Sequence, residues 1–237
     1  MLIQVITGTT CAGRFSERVA HWVLKRLSAR ADVDAELVDL REHPLPRFDG
    51  ISPARTPRDY PSVEAARLGR TIDRADGYIV LAAEYYQGYP AVLKNAMDWT
   101  SLVEWRRKPV AYVGWGGIGG AHAVEQLRQV AVEFEMAPLH RTVHILPDVI
   151  IAARQLADSR GTTAFAPLDP QLKALLDDLI WWAAAPRTGR RSDDGPPQMV
   201  VTEQGRRGRS PVTGARAPQR LSLGRARSPN RRCRAVS

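Results

Sequence analysis

Two strand-to-helix turns follow one another between Ala82 and Gly120, and this stretch most restricts how the chain can fold. The end of an apolar strand leads into the loop AEYYQGYP and the helix LKNAMDW, and the strand PVAYVG then leads into the glycine-rich turn WGGIGG. In a parallel sheet both turns open at the carboxyl edge, where open α/β sheets bind their ligands. We therefore predict that these turns form two walls of one pocket, and that the first strand-to-helix turn, TGTTCAGRFS at residues 7–16, forms a third.

The alternation of strand and helix extends over the first 185 residues. Apolar runs predict strands, and apolar residues at helical spacing predict the helices between them. The predicted strands are Leu2 to Ile6, Ala35 to Leu40, Tyr78 to Ala82, Pro109 to Val113 and Arg141 to Leu146. Five such units predict a parallel sheet with helices on both faces, although periodicity leaves the strand order open.

The helices are predicted from apolar stripes and from their start signals. Ser16 is predicted as the N-cap of the first helix, and the region from Pro147 to Pro170 is predicted as a loop. The other helices are expected from near Tyr60, from Ala91 to about Leu102, along the stripe from Val124 to Phe134, and along the stripe from Leu172 to Trp182.

The positive charge of the protein is concentrated at its C-terminus. The whole chain has a formal net charge of +9, but the segment from Pro186 to Ser237 contains 13 arginines and only three acidic residues. Subtracting these from the totals leaves 21 basic and 22 acidic side chains in residues 1–185. The segment has no aromatic residue and no apolar periodicity, so we predict a folded domain at 1–185 and a disordered Arg-rich tail at 186–237. An extension without a binding role is favoured over contact with nucleic acid or another polyanion, because no aromatic side chains are interleaved for base stacking.

Cysteine usage and the N-terminal residues favour a cytoplasmic protein that does not enter a membrane. Cys11 and Cys233 do not suggest a disulfide framework, which favours a reducing compartment. The first residues, MLIQVITGTT, lack a basic segment, and their apolar run is too short for a signal peptide or a membrane span. No later apolar run in the sequence reaches membrane length.

The first loop combines hydroxyl groups, a cation and glycines at the start of a helix. Thr9, Thr10 and Ser16 supply hydroxyls, and Arg14 supplies a positive charge. Together with free backbone N–H groups and the helix dipole, these donors suit a phosphate monoester. The residues alone leave an ordinary capped turn as an equal alternative, because the loop matches neither the P-loop pattern nor a glycine fingerprint.

The turn after the fourth strand contains a glycine motif that has two interpretations. Gly114, Gly116 and Gly119 spell G-x-G-x-x-G between a strand and a helix, which is the dinucleotide-binding fingerprint. That fingerprint normally occupies the first turn of its unit, and here the threonine-rich loop takes that place. We therefore favour a turn whose backbone amides approach a flat ring over a Rossmann dinucleotide site.

Three segments resemble the NADPH-dependent FMN reductase family of flavodoxin-like quinone, azo and chromate reductases. GTTCAGRFSERVAHWV is similar to the family's phosphate loop and first helix, AEYYQGYPAVLKNAMDW to its isoalloxazine loop, and EWRRKPVAYVGWGGIGGAHAVEQLR to its third flavin-binding turn. These matches frame the chain from Gly8 to about Ile145 and leave the tail without a counterpart. The resemblance implies a flavodoxin-like three-layer α/β sandwich whose five-stranded parallel sheet has the order 2-1-3-4-5.

The same resemblance implies FMN and NAD(P)H as cofactors. No catalytic side chain and no metal is expected, because the flavin carries the hydride chemistry and the protein positions it. Backbone N–H groups from Gly116 to Gly119 are expected to stabilise negative charge on the reduced ring. The FMN phosphate is expected on Thr9, Thr10, Arg14 and Ser16, and the ring between Glu84, Tyr85, Tyr86, Gln87 and Gly88 on one side and Trp115, Gly116, Gly117 and Gly119 on the other.

The chain departs from the family pattern at four positions that bear on flavin affinity. Cys11 and His122 stand where arginines are usual, so one phosphate cation is missing from the first loop. Tyr86 replaces an asparagine, which removes a side-chain contact but leaves backbone contacts available. Gly114 replaces a serine before the glycine turn.

The favoured function is hydride transfer from NAD(P)H through FMN to a quinone, a flavin or a similar small-molecule acceptor. One alternative is a non-enzymatic flavodoxin-like electron carrier, although the neutral core lacks the acidic surface usual in that class; another is a flavin-free binding module that uses the basic tail. The resemblance implies a homodimer, and Trp99, Leu102 and Trp105 place apolar groups for that contact after the second loop. Glu104 is expected to be solvated or at a subunit contact.

Overall fold

Five parallel strands form the centre of the protein. The computed structural model describes residues 1–50, 60–156 and 162–191, with side chains up to Ala185. The strand order β2-β1-β3-β4-β5 confirms the predicted flavodoxin-like topology, and all neighbouring strands pair in parallel. The strands are β1 (Leu2–Thr7), β2 (Asp34–Asp39), β3 (Gly77–Ala83), β4 (Pro109–Trp115) and β5 (Ala137–Ile145).

Helices cover both faces of the sheet and complete a three-layer sandwich. The helices of the described residues are α1 (Ser16–Leu27), α2 (Val63–Asp73), α3 (Ala91–Trp99), α4 (Leu102–Trp105), α5 (Ala121–Glu133), α6 (Pro147–Gln155) and α7 (Asp169–Arg191). Two 3₁₀ segments lie at Leu40–Glu42 and Thr162–Leu168. Helices α1 and α7 pack in the core on one face, and α2, α3 and α5 pack in the core on the other. No helix of the described residues is long and apolar enough to cross a membrane.

The two central strands are apolar on both sides because both of their faces are covered. Every residue of β3 and β4 is buried. Successive side chains point to opposite faces of a strand, so Ile79 and Leu81 join one core cluster while Tyr78 and Val80 join the other. This covering explains the unbroken apolar run from which the third strand was predicted.

The region from Pro147 to Pro170 is not the loop that the sequence analysis predicted. Helix α6 begins at Pro147, where the missing N–H costs nothing in the first turn of a helix. Ala153 of α6 is buried, and Val149 and Ile150 pack against the same core cluster. This short apolar stripe was the signal for the helix, and the flanking prolines concealed it.

The helix predicted from Ala91 to about Leu102 is interrupted at Thr100 and Ser101. Ser101 and Glu104 form a capping box that starts α4, with the Ser101 N–H donating to Glu104 Oε2 at 2.7 Å. Glu104 also accepts a hydrogen bond from the Tyr60 hydroxyl and is 1% exposed. The expectation that Glu104 is solvated or at a subunit contact is therefore wrong, because its oxygens satisfy polar groups inside the chain.

The tryptophans that were predicted to form a subunit contact are buried within one chain. Trp99 is 7% exposed and donates to the Pro46 carbonyl at 2.7 Å. Trp105 is 2% exposed and donates to Thr100 Oγ1 at 2.9 Å. These two side chains belong to the protomer's own core, so their proposed place in a dimer contact is wrong.

Several predicted boundaries differ from the observed ones. Helix α2 begins after Ser62, whose hydroxyl accepts the Ala65 N–H, and β5 begins at Ala137. In α7 the buried stripe continues to Ala183, whereas Trp182 is 45% exposed. The predicted domain boundary at residue 185 falls within α7, whose helical backbone reaches Arg191. The predicted tail beyond that residue lies outside the described residues.

Candidate functional site

The loop between β1 and α1 is closed by its own hydroxyl groups, and we call residues 8–15 the phosphate loop. Thr9 Oγ1 and Ser16 Oγ lie 2.7 Å apart, and both side chains are buried. Ser16 is the first residue of α1 and Phe15 precedes it as the N-cap, so the prediction that Ser16 caps the helix is wrong. The bond between Thr9 and Ser16 instead fixes the strand end against the helix start. Thr10 is half-buried beside them.

Backbone donors are free at the mouth of the phosphate loop. The N–H groups of residues 10–13 have no acceptor among the described residues. Gly13 has a φ of +63°, and a Cβ at this position would meet no atom within 4 Å. Free N–H groups in a loop that leads into a helix N-terminus are the arrangement that binds phosphate. The loop therefore fits a phosphate monoester.

Arg14 is held inside the protein by an acidic partner from the neighbouring strand. Its guanidinium donates to both carboxylate oxygens of Asp39 and to the Thr9 carbonyl, and its Nε donates to Glu17 at 3.2 Å. The Arg14 side chain is 4% exposed and that of Asp39 is 12% exposed. Burial raises the pKa of Asp39, but hydrogen bonds from Arg14 and from the Arg41 N–H outweigh burial and lower the pKa below its ordinary value. This geometry favours an indirect role in which Arg14 shapes the loop, and direct phosphate contact remains a prediction.

Arg41 is a loop cation that the sequence analysis did not identify. Its Nη2 donates to the Cys11 carbonyl at 2.6 Å and its Nε to the Thr10 carbonyl at 3.2 Å. Its side chain is 43% exposed, so part of the guanidinium faces solvent beside the phosphate loop. Arg41 lies just after β2, and the sheet order that brings β2 beside β1 was the information needed to find it.

The loop after β3, which we call the ring loop (residues 84–90), contains a tight turn. Tyr85 and Gly88 exchange two backbone hydrogen bonds, of 2.8 and 3.0 Å. Tyr86 and Gln87 between them have φ of 48° and 65°, as in the type I′ turn. Tyr85 is 51% exposed and the Tyr86 side chain projects fully into solvent. The Gln87 carbonyl accepts from Gln126 of α5 at 2.7 Å, which fixes the turn against the next helix.

Some backbone N–H groups of the glycine turn (residues 116–120) are free, and others already have an acceptor. The N–H groups of residues 116–118 have no acceptor among the described residues, whereas the Gly119 N–H donates to the Gly116 carbonyl at 3.1 Å. Gly119 is buried, and its carbonyl lies 2.9 Å from His144 Nδ1. A Cβ on Gly119 would lie 2.7 Å from the Cβ of His144. The free donors therefore lie at 116–118, and Gly119 serves the packing of the turn.

Trp115 belongs to the core rather than to the ring surface. It is the last residue of β4, is 8% exposed, and packs edge to face against Phe15 with ring centroids 6.0 Å apart. Its carbonyl accepts the Glu84 N–H at 2.9 Å, so the backbone of Trp115 joins the ring loop to β4. The Trp115 side chain thus packs within the protein, and contact between this residue and the flavin remains a prediction.

Glu84 links the ring loop to the glycine turn. Its carboxylate accepts the His122 N–H at 3.1 Å and lies 3.1 Å from His122 Nδ1. The N-cap of α5 is Gly120, which has no side chain, so the Glu84 carboxylate supplies the acceptor for the start of this helix. A negative group is favourable at that position because the helix dipole is positive there.

The phosphate loop also contacts the ring loop. Cys11 Sγ lies 4.0 Å from the Tyr85 hydroxyl. Burial and the neighbouring Cys11 raise the pKa of Tyr85, so its hydroxyl stays protonated near neutral pH. The three predicted loops therefore lie together at the carboxyl edge of the sheet. Their donors suit a cofactor with one phosphate and a flat polar ring, as FMN has.

Several known proteins have sequences similar to that of this chain. The family model of NADPH-dependent FMN reductases matches residues 1–147. An NAD(P)H-dependent FMN reductase of Schizosaccharomyces pombe is 33% identical over 153 residues, covering 63% of this chain and 76% of the relative. A 2-hydroxy-1,4-benzoquinone reductase of a Burkholderia species is 33% identical over 187 residues, covering 76% of this chain and 94% of the relative.

Solved structures agree with the fold. FerB, a flavoenzyme NAD(P)H:(acceptor) oxidoreductase from Paracoccus denitrificans, is 20% identical with a TM-score of 0.60, over 78% of this chain and 97% of that protein. This structural likeness concerns the fold alone. The family assignment rests instead on the sequence match, which covers more than half of the chain. The chain belongs to the NADPH-dependent FMN reductase family.

Proposed function

We propose that this protein is an NAD(P)H-dependent oxidoreductase that uses bound FMN to pass electrons to a small-molecule acceptor. The observation that carries the proposal is the convergence of three loops at the carboxyl edge of the sheet, two of them with free backbone donors, in a chain of the FMN reductase family. FMN, when bound, supplies the ring that accepts hydride and passes it on. The protein then has to bind and orient its partners, and we assign no catalytic acid or base.

The three walls of the site have different tasks in this proposal. The N–H groups of residues 10–13 and the Thr10 hydroxyl bind the phosphate, and Arg41 adds a positive charge beside them. The N–H groups of residues 116–118 donate to the ring edge on which negative charge develops. Glu84 keeps the ring loop and the glycine turn at a fixed separation through its bonds to His122.

A quinone or a flavin is the acceptor class that we favour. The Burkholderia relative is named as a benzoquinone reductase, and a relative from Oryza sativa is named as a probable NADPH:quinone oxidoreductase. The exposed rings of Tyr85 and Tyr86 beside the site offer flat apolar surfaces to such a planar molecule.

We also propose a homodimer, with the start of α3 near the contact. Val92 of α3 and Tyr85 and Tyr86 of the ring loop are exposed apolar residues that a second copy could cover. Light scattering at tens of micromolar is expected to give twice the mass of one chain. A monomer under those conditions would contradict this proposal without affecting the proposed chemistry.

A cytoplasmic location is part of the proposal and rests on the cysteines. Cys11 is an exposed free thiol in the described chain. An exposed thiol of this kind is compatible with a reducing compartment.

The absorbance spectrum of the purified protein tests the proposed function. We expect the bands of an oxidised flavin, release of FMN rather than FAD on denaturation, and oxidation of NAD(P)H when a quinone is added. The phosphate loop motivates this expectation, since it offers one phosphate site and no fingerprint for a second nucleotide half. Colourless protein that also fails to bind added FMN at micromolar concentration would show that the proposal is wrong.

A further inference from the structure

A cavity beside the flavin loops opens between α3 and the segment that follows β2. Its volume is about 520 Å³, which is in the range of small-molecule sites. Its wall includes Thr10, Arg41, His43, Arg47 and Asn95, with apolar side chains between them. We call it the arginine cavity. Thr10 also belongs to the phosphate loop, so this cavity adjoins the proposed flavin site.

The two sides of the arginine cavity are bonded to each other. Asn95 Nδ2 donates to the Pro46 carbonyl at 2.9 Å, and Asn95 Oδ1 accepts the Phe48 N–H at 2.8 Å. Trp99 Nε1 donates to the same Pro46 carbonyl at 2.7 Å, and its ring packs edge to face on Phe48. The segment after β2 is thus fastened to α3, and the cavity is formed before any ligand arrives.

The charge of the arginine cavity is positive. No acidic residue lines it among the described residues. Arg41 is oriented by the carbonyls of Thr10 and Cys11 and by Glu17. Arg47 is exposed and makes no hydrogen bond or ion pair within the part of the chain that the structure describes. An unpaired guanidinium in a concave wall is suited to bind a phosphate through two parallel hydrogen bonds.

A neutral imidazole completes the polar part of the wall. Burial and the nearby Arg67 lower the pKa of His43. The buried Nδ1 of His43 has no hydrogen-bond partner among the described residues. A buried polar atom without a partner is costly to the protein. A ligand in the cavity would reach this nitrogen only if the His43 side chain moved, so the charge of the wall comes from Arg41 and Arg47.

We propose that the arginine cavity binds the adenosine 2′-phosphate portion of NADPH, with Arg47 as the residue that favours NADPH over NADH. The two nucleotides differ only by that phosphate, so a cation without a partner inside the protein discriminates between them. The shared Thr10 places this subsite next to the FMN site. The inference rests on the proposed function, because it assigns one end of the substrate of the same reaction.

Steady-state kinetics of the FMN-loaded Arg47→Ala variant tests the subsite. We expect KM for NADPH to rise about tenfold more than KM for NADH, since a charged hydrogen bond to phosphate contributes this much. Arg47→Glu should enlarge the difference, because a carboxylate repels the phosphate. Calorimetry with adenosine 2′,5′-bisphosphate should show the same loss of affinity without any turnover.

Arg74→Ala is the matched control for this experiment. Arg74 is an exposed arginine paired with Glu36 at 2.6 Å, and it precedes β3 at the opposite edge of the sheet. The Arg74→Ala variant should leave unchanged both the ratio of KM for NADPH to KM for NADH and the affinity for adenosine 2′,5′-bisphosphate. Equal changes for both nucleotides in Arg47→Ala, or a loss of FMN affinity instead, would overturn the subsite. In either case, oxidation of NAD(P)H by the wild-type protein would still support the proposed function. Wild-type protein that oxidises neither NADPH nor NADH would overturn both the subsite and the proposed function.

Discussion

Arg14 and Asp39 form a charge pair between the phosphate loop and the end of β2. The sequence predicted Arg14 as a phosphate ligand because it is a cation among hydroxyl residues. In the structure its donors face Asp39 and the Thr9 carbonyl, so the same charge maintains the loop conformation. Breaking a buried pair of this kind by removing one partner costs about 3–5 kcal/mol, since the remaining charge is left without compensation.

The stability of the protein should fall in acid partly through Asp39. The folded pKa of this carboxyl lies below its unfolded value, so its contribution is present above the unfolded pKa and is lost as the pH falls through the folded pKa. Asp169 and Asp177, whose pKa values are also lowered, act in the same direction. We expect the free energy of unfolding in urea to decrease between pH 6 and pH 3, and to decrease less in Asp39→Asn.

Asp34→Asn is the control for this pH dependence. Asp34 is exposed and makes no ion pair among the described residues. The Asp34→Asn variant should lose stability in acid to the same extent as the wild type. The Asp39→Asn variant should in addition be less stable than the wild type at pH 6, because Arg14 loses its partner. An equal decrease in all three proteins would show that Asp39 does not contribute to the acid response.

At the scale of elements, the glycine turn shows which of several neighbouring glycines the backbone requires. Gly116 has a φ of +155°, and a Cβ there would lie 2.9 Å from the Cβ of Glu84. Gly117 lies in open space with no atom within 4 Å of such a Cβ. The approach of Gly116 to Glu84 brings the glycine turn against the ring loop, while Gly117 only has to present its N–H group.

Gly116→Ala should therefore be much more damaging than Gly117→Ala. The first variant should lose about 1–3 kcal/mol of unfolding free energy through backbone strain and contact with Glu84. The second should change stability by less than about 0.5 kcal/mol, as surface substitutions usually do. Urea denaturation measures both values, and FMN titration should show weaker binding in Gly116→Ala. Equal stability of the two variants would mean that the turn can relax around a side chain.

At the scale of the whole molecule, the distribution of charge separates the family domain from the C-terminal segment. Residues 1–185 are nearly neutral, whereas Pro186 to Ser237 carries a formal charge of +10 from 13 arginines and three acidic residues. The family match ends at residue 147, and the apolar stripe of α7 has its last buried residue at Ala183. Among the described side chains, the last buried residue of the core therefore precedes the arginine-rich sequence.

Two truncations test whether that segment is part of the enzyme. Chains that end after Ala185 or after Arg191 should retain FMN binding and NAD(P)H oxidation, because neither cut removes a buried residue of the described core. Retention on heparin should disappear in both, and in the intact chain it should weaken steeply with salt. A large loss of activity confined to NADPH would show that arginines of the tail, rather than Arg47, bind the 2′-phosphate.

The sequence alone determined the alternation of strand and helix and the edge of the sheet at which the site lies. The apolar runs of β3 and β4 require two covered faces, and loops that follow parallel strands must meet at one edge. It also identified the phosphate loop, the ring loop and the glycine turn, because glycines and hydroxyl residues after a strand carry local information. The helix α6 and the capping box of α4 had local signals as well, in Pro147 and in the spacing of Ser101 and Glu104.

Only the tertiary structure decided which groups in those loops remain free to bind a ligand. Arg14 is neutralised by Asp39, 25 residues away, and Glu84 is bound to His122, 38 residues away. Trp115 turns into the core against Phe15, while Arg41 and Arg47 come to line a cavity beside Thr10. Pairings of this kind depend on the order of strands and on the packing of helices across the sheet. The periodicity of apolar residues does not predict these pairings, because it describes each helix or strand by itself.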